Sequence, residues 1–434
     1  MGKSVIFHPG TLNGQVRIPS SKSISHRLLI AAALAHGESV VRRVDPSNDI
    51  DATVQVLSAL GAAVRTENCA DGSVDYYIRG IPPRHSGIVK FADCGESGST
   101  LRFLVPVVAA LGIPTRFTGH GRLPERPMGE LIEALTTHGV SIETPPGYTL
   151  PLSLSGQLAA GEYRLPGNIS SQYFTGLLFA LPLLSGDSIL RVTGKLESAA
   201  YIDLTIDVLK MAGICIQKEA NAFIIPGNQR YQPFDTQAEG DWSQAVFFLA
   251  AGALGGDIRL TGLNPESAQG DRACCEILRT FGARIDWEDG VLHCRGGELR
   301  GCEIDASQIP DLVPALAACA CQCTGETHIT GAHRLRLKES DRIESTCAMI
   351  RSLGGAADPD DDGIATRLSH LHGGTVRSFN DHRILMSAAV LALRADGPVT
   401  VDQAECVNKS YPRFFEDYRT LGGIADVIDT RDKL

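Results

Sequence analysis

The sequence predicts an α/β protein of six repeated sheet-and-helix units, three to each of two pseudo-threefold domains. Three observations carry this. A polar start leading into an apolar, small-residue helix recurs six times, at intervals of roughly seventy residues. A second series of six amphipathic helices interleaves with the first. Short β-branched segments separate the two series and read as strands.

The first series runs SISHRLLIAAALAHGESV, ESGSTLRFLVPVVAALG, SSQYFTGLLFALPLLSGDS, DWSQAVFFLAAGALGGD, IPDLVPALAACACQCTGE and NDHRILMSAAVLALRADG. Apolar on all sides, these helices belong in a core. Most of them close on Gly and lead into SVVRRV, TRFTG, ILRVTG, IRLTG, THITG or VTV. The second series runs DATVQVLSALGAAV, GELIEALTTHGVSI, YIDLTIDVLKMAGICI, DRACCEILRTFGARI, DRIESTCAMIRSLGGAA and PRFFEDYRTLGGIA. Apolar residues three and four apart give each a single buried face. The repeat is too long for the common solenoids, so each unit can carry its own small layer of sheet and helix.

With 434 residues, 43% hydrophobic and 21% charged, the chain can bury more than one core. A net charge of -10 argues against a nucleic-acid footprint, so any anion site has to be local. The start MGKSVIFHPG has no apolar signal core, and Ile6 spoils a myristoylation match. The runs GLLFALPLL and AVFFLAAGAL are well short of the roughly 20 residues that span a bilayer. A soluble cytoplasmic protein is expected. Twelve unevenly spaced cysteines read as reduced thiols, with Cys319, Cys321 and Cys323 buried in a helix and no zinc spacing elsewhere.

In SFNDHRILMSAAVLAL, four polar residues, Asn380 to Arg383, sit directly against a core helix. Asn and Asp suit a helix cap, but Lys and Arg do not, because the helix dipole repels them there. Cations nevertheless recur near the predicted starts: Lys22 and Arg27, Arg126, Lys338 and Arg342, Arg383, and Lys409. A bound polyanion explains the set better than capping does, and converging helix N-termini lining an interdomain cleft would add to such a site. Carboxylates accompany the cations. Asp341 and Asp381 read equally well as salt-bridge partners, whereas Asp311 and Glu339 stand where they could move protons. Ser170, Ser171 and Gln172 suit a phosphate, with a plain helix cap as the competing reading. CGESGST matches a phosphate loop only weakly, since Ser99 stands where Lys is required.

SSKSISHR, GESGSTLRF, LPERPMG, GNISSQYFTGLL, AAYIDLTI, IPDL, LKESDRIE, FNDHR and NKSYP occur in the order seen in enolpyruvylshikimate-phosphate synthase, from Lys22 to Pro412. The chain resembles that family. The resemblance implies a two-domain inside-out α/β barrel, with residues 22–237 as the upper domain and 1–21 with 238–434 as the lower one. It implies transfer of the enolpyruvyl group of phosphoenolpyruvate to the 5-hydroxyl of shikimate 3-phosphate, through a tetrahedral ketal, with release of phosphate. It further implies no metal or organic cofactor, a monomer, no nucleic-acid or membrane partner, and a possible response to glyphosate, for which Gly98 leaves room.

By the same resemblance, Ser23 and Arg27 hold the shikimate carboxylate, Ser170, Ser171, Ser198 and Lys338 take its phosphate, and Tyr201 lines that pocket. Lys22, Gly98, Arg126, Gln172, Arg342, Arg383 and Lys409 grip phosphoenolpyruvate. Asp311 is the base on the attacking hydroxyl, and Lys22, Glu339 and Lys409 all remain open as proton donors. Glu96, Ser99, Phe103 and Arg334 depart from the best-known members, and a carboxylate at Glu96 asks for a partner such as Arg334. The related transferase acting on UDP-N-acetylglucosamine carries a reactive Cys before the residue matching Arg126, and GHGRLPERP has none. A non-catalytic repeat protein that binds a phosphorylated ligand is the other alternative.

Overall fold

The computed structural model describes residues 2–82 and 87–429, so Met1, 83–86 and 430–434, which the domain boundaries above include, lie outside the described residues. The chain forms two compact units. One, here the middle unit, is Ser20–Ala238; the other, the flanking unit, joins the segment up to Pro19 to the chain from Glu239 onward.

The first helix series becomes α1 (Lys22–Leu34), α3 (Gly98–Leu111), α5 (Ser171–Ala180), α7 (Trp242–Ala253), α9 (Val313–Ala320) and α11 (His382–Ala392). The second becomes α2 (Asn48–Leu60), α4 (Gly129–Thr136), α6 (Ala199–Met211), α8 (Cys274–Phe281), α10 (Arg342–Ser352) and α12 (Phe414–Thr420). Every residue of α7, α9 and α11 is buried, and the three pack on one another at the centre of the flanking unit. In the middle unit α3 packs on α5 while α1 packs on α2 and α6.

Small residues make these close approaches possible. A Cβ on Gly176 of α5 would meet the Arg102 carbonyl of α3 at 2.3 Å, so only Gly fits there. Larger side chains fill the remaining space, each contributing about 1.5–3 kcal/mol on leaving water. The second series keeps one polar face. Helix α2, for instance, starts at Ser47, whose hydroxyl accepts from the Ile50 N–H at 3.4 Å, and ends at Gly61 with φ 113°.

Among the described residues there are six four-stranded sheets, all open rather than closed into barrels. Each holds one of the β-branched segments at an inner position, parallel to one neighbour and antiparallel to the other. In one of them Lys90–Asp93 runs parallel to Thr115–Thr118, in register from Lys90 opposite Thr115 to Asp93 opposite Thr118. A parallel pair needs a long crossover, and α3 supplies it. Sheets thus lie outside and helices inside, an inside-out arrangement.

Two sheets of the flanking unit borrow strands from the chain start. Asn13–Arg17 pairs parallel with Asp257–Thr261, and Lys3–Phe7 lies antiparallel between Val399–Val401 and Ala425–Asp429. The middle unit closes its first sheet with Asp235–Gln237, parallel to Glu38–Val44. Cys319, Cys321 and Cys323 are buried thiols at the end of α9, and no described helix is long and apolar enough to cross a membrane.

Candidate active site

In the flanking unit the polar motifs converge on two carboxylates. Asp311 lies in the turn Pro310–Leu312 just before α9. Its Oδ1 is 2.9 Å from Arg342 Nη1 and 3.5 Å from Lys338 Nζ, and its Oδ2 is 3.2 Å from Arg383 Nη2. Burial alone would raise the Asp311 carboxyl, but Arg383, Lys338 and Arg342 overcome it and hold it well below the usual carboxylate range. Asp311 is therefore ionised.

Arg342, the first residue of α10, is only 1% exposed. Its Nε donates to Asp381 Oδ2 at 2.8 Å, its Nη1 to Asp311 at 2.9 Å, and its Nη2 to Glu339 Oε2 at 2.7 Å. Asp381 is fully buried and also caps α11, accepting from the Arg383 N–H at 3.0 Å and from the Ser340 hydroxyl at 3.0 Å. The two residues before it, Phe379 and Asn380, take φ of 56° and 54°, a costly pair of conformations directly before the cap. Lys409 Nζ donates to the Asn380 carbonyl at 3.1 Å, tying NKSYP to the same turn.

These contacts correct one premise of the sequence reading. Folding does ask for some of the cations: Arg342 and Arg383 neutralise carboxylates that the fold buries wholly, at Asp381, or in part, at Asp311, irrespective of any ligand. The Asp381 ambiguity resolves as a buried ion pair combined with a helix cap. Asp341 caps α10 through the Glu344 N–H at 3.2 Å and pairs with Arg336 at 2.9 Å near the surface.

In the middle unit Lys22 opens α1 beneath its Ser21 cap, with Nζ 2.7 Å from Asp49 Oδ2. Arg27 is 2% exposed and donates to Thr205 Oγ1, the Ser23 carbonyl, Thr175 Oγ1 and the Tyr201 carbonyl, at 2.8, 2.6, 3.3 and 2.9 Å. All four acceptors are neutral, and burial pushes its guanidinium down to about 10. Four bonds from five N–H groups leave one donor on Nη1. Among the described residues this buried cation meets neutral oxygens and the Phe103 ring, 5.0 Å from its guanidinium carbon, and such a cation attracts an anion. Burial, with Lys22 and Arg27 close by, keeps the neighbouring His26 neutral.

Helices α3 and α5 contribute a second group. Gln172 Nε2 donates to Ser99 Oγ at 2.9 Å and its Oε1 accepts from Arg102 Nη1 at 2.7 Å, which fixes the amide. The Ser170 hydroxyl caps α5 through the Gln172 N–H, and Ser171 is the first residue of that helix. Gly98 opens α3 against the Arg126 guanidinium, where a Cβ would stand 2.7 Å from Nη1. Ser198 precedes α6 with φ 53° and is buried, its carbonyl accepting from the Tyr201 N–H at 3.1 Å. Arg334 is buried and donates to the Ser307 carbonyl at 2.8 Å, and Glu96 lies against Gly121 within the middle unit.

The sequence-level model of EPSP synthase (3-phosphoshikimate 1-carboxyvinyltransferase) matches residues 6–418. The chain belongs to the EPSP synthase family. A 3-phosphoshikimate 1-carboxyvinyltransferase of Clostridium kluyveri is 43% identical over 98% of this chain and 98% of that protein. One from Clostridium perfringens is 43% identical over 97% of this chain and 99% of its own. Among solved structures, EPSP synthase from Acinetobacter baumannii superposes with a TM-score of 0.81 at 27% identity, covering 98% of this chain and 100% of that one. The enolpyruvyl transferase NikO from Streptomyces tendae, at 18% identity and TM-score 0.77 over 99% of both chains, shares the fold.

For this EPSP synthase family member, sequence reasoning missed three residues that hold the site in shape. Asp49 pairs with Lys22, Arg102 orients Gln172, and Ser243 accepts from Arg383 through its carbonyl at 3.1 Å and its hydroxyl at 2.9 Å. A signal for Ser243 existed: DWSQ occupies the place in its repeat that SSQY and NDHR occupy in theirs. Asp49 and Arg102 carry no such mark, because each sits inside an ordinary helix and matters only through the neighbour that tertiary packing brings to it.

Proposed function

We propose that this protein transfers the enolpyruvyl group of phosphoenolpyruvate to the 5-hydroxyl of shikimate 3-phosphate, releasing phosphate, as a step toward chorismate and the aromatic amino acids. One observation supports it above the others: the cations of LKESDRIE and NDHR gather on the part-buried carboxylate of Asp311. The substrates are assigned by family membership.

In this proposal Arg27, with Ser23, takes the shikimate carboxylate, meeting it with the donor that its neutral partners leave. Ser170, Ser171, Ser198 and Lys338 take the 3-phosphate, and Tyr201 borders it. Phosphoenolpyruvate is gripped by Lys22, Gly98, Arg126, Gln172, Arg342, Arg383 and Lys409. Asp311 removes the proton of the 5-hydroxyl as its oxygen bonds to C2 of the donor. Lys22, Glu339 or Lys409 delivers a proton to the methylene carbon, giving the tetrahedral ketal. Loss of a methyl proton then expels phosphate and regenerates the double bond.

The charge balance of the site suits this sequence. Without substrate, Arg383, Lys338 and Arg342 depress the basicity of Asp311. Two multiply anionic substrates compete for the same cations, which weakens that hold and makes the carboxylate a better base as the reaction begins. Each preorganised cation or donor facing the developing charge is worth about 2–4 kcal/mol in the transition state.

Phosphate release measured with phosphoenolpyruvate plus shikimate 3-phosphate tests the reading. Turnover is expected with that pair and none with UDP-N-acetylglucosamine as acceptor; the reverse pattern, or no release with either acceptor, would refute it. We further propose a cytoplasmic monomer, to be checked by sedimentation of the purified chain.

Gly98→Ala tests the phosphoenolpyruvate assignment. The added Cβ would stand 2.7 Å from Arg126 Nη1, so the guanidinium has to swing away. Losing one charge-assisted contact costs about 1.5–3 kcal/mol, so KM for phosphoenolpyruvate is expected to rise on the order of tenfold or more, with unfolding unchanged because only a side-chain tip moves. Inhibition by glyphosate should weaken in the same variant. An unchanged KM would remove Arg126 from the assignment.

A further inference from the structure

A cavity of about 600 Å³ lies within the flanking unit, and none of the residues assigned above lines it. Trp242 and Trp287 form one wall, their rings in edge contact with centroids 6.2 Å apart at 70°. Gln269, Cys275, Arg272, Arg279 and Glu276 also line it. The size is that of a small-molecule site, and mixed aromatic and polar walls are what such sites use.

Two features point to a ligand. Trp242 is 1% exposed, yet its indole Nε1 has no hydrogen-bond partner among the described residues, an uncommon state for a buried donor. Two guanidiniums, those of Arg272 and Arg279, also line the cavity against one carboxylate, that of Glu276. Arg279 donates to the Ile285 carbonyl and pairs with exposed Glu276 at 2.5 Å, while Arg272 donates to the Pro265 carbonyl. The surface pair with Glu276 is screened by water and holds little charge back.

We propose that this cavity binds a small aromatic carboxylate, its ring against the two indoles and its carboxylate toward Arg272, and that occupancy alters the hold on Arg383. Indole faces and edges take a flat ring, and the carboxylate supplies the acceptor for Nε1 or for the arginines. The route to Arg383 is short. The Gln269 side chain accepts from the Trp242 backbone N–H at 3.2 Å and donates to Glu239 and to the Gly240 carbonyl at 2.7 and 2.8 Å, so a residue of the cavity wall pins the start of α7. Ser243, the next residue, accepts from Arg383 through both its carbonyl and its hydroxyl. The coupling, though not the binding, rests on the role given to Arg383 under the proposed function.

The chain has two tryptophans, and both line this cavity, so intrinsic fluorescence reports on it directly. Benzoate is the probe, with benzyl alcohol and inorganic phosphate as controls. Saturable quenching by benzoate is expected, with half-saturation on the order of 1 mM and little response to either control. Arg272→Gln, at an exposed position outside the assigned catalytic set, should raise that half-saturation about tenfold while leaving phosphate release in the absence of benzoate unchanged. In the wild-type protein, saturating benzoate should shift KM for phosphoenolpyruvate severalfold.

Absence of saturable quenching overturns the site. Equal quenching by benzyl alcohol, or by benzoate in Arg272→Gln, overturns the carboxylate assignment. Quenching with an unchanged KM overturns the coupling. The fluorescence titration needs no turnover, so failure of the proposed reaction and failure of this site read out separately.

Discussion

Replacing Asp311 by asparagine is expected to lower kcat by about 10²–10⁴-fold, the usual contribution of a positioned general base. Asparagine keeps the size of the side chain and can accept hydrogen bonds, but it cannot take the hydroxyl proton. The same change releases Lys338, Arg342 and Arg383 from a negative partner, all within 3.5 Å of the carboxylate. Binding of the anionic substrates should then hold or tighten while turnover collapses. Steady-state kinetics with a separate binding titration separates the two. A fall in affinity that accounts for the whole loss would make Asp311 a binding residue instead of a base.

The state of Asp311 also bears on the pH profile. The profile of kcat/KM reports groups of the free enzyme, and there the carboxyl titrates well below its ordinary value. An acid limb in kcat/KM between roughly pH 5 and 7 therefore belongs to another group. If Asp311→Asn abolished such a limb while leaving a measurable rate, this account of its environment would be wrong.

Asp381→Asn is expected to cost about 3–5 kcal/mol of stability in the flanking unit, the usual result of breaking a buried pair from one side. Asp381 is fully buried, and Arg342, at 1% exposure, bonds to it through Nε at 2.8 Å and Nη2 at 3.3 Å. The variant leaves that guanidinium with Asp311 and Glu339 alone and weakens the cap on α11. Denaturant unfolding should show the loss in the transition of the flanking unit, leaving the middle unit in place. A shift under about 1 kcal/mol would mean that Asp311 and Glu339 suffice for Arg342.

The pH dependence has a definite sign. Burial raises the Asp381 carboxyl, Arg342 more than reverses this, and the net result lies below the ordinary value. The unfolded chain thus binds the proton more readily than the folded one. The stability due to the pair is complete above the unfolded value of about 4 and disappears as pH falls through the lower folded value. Acid unfolding of the Asp381→Asn variant should accordingly be shallower than that of the wild type below about pH 4.

The twelve helices and the six β-branched strands were legible because each is set by local pattern. All-round apolar runs with small residues require burial, and a left-handed Gly such as Gly61 marks where a helix ends. The motif cations were legible because charge beside a core helix is costly and so demands a reason. Their partners were not. Arg342 lies 39 residues from Asp381 and Arg27 lies 178 from Thr205, separations at which no periodicity speaks.

Local pattern alone dictates the six-fold repeat, the alternation of core and amphipathic helices, and the polar residues placed at the helix starts, since propensity, capping and hydrophobic period act over a few residues. What those polar residues do is settled by packing, which brings Arg342 to Asp381, Arg102 to Gln172 and Ser243 to Arg383. Burial then makes each of those contacts strong, because a charge removed from water has to be met by the protein or by a ligand.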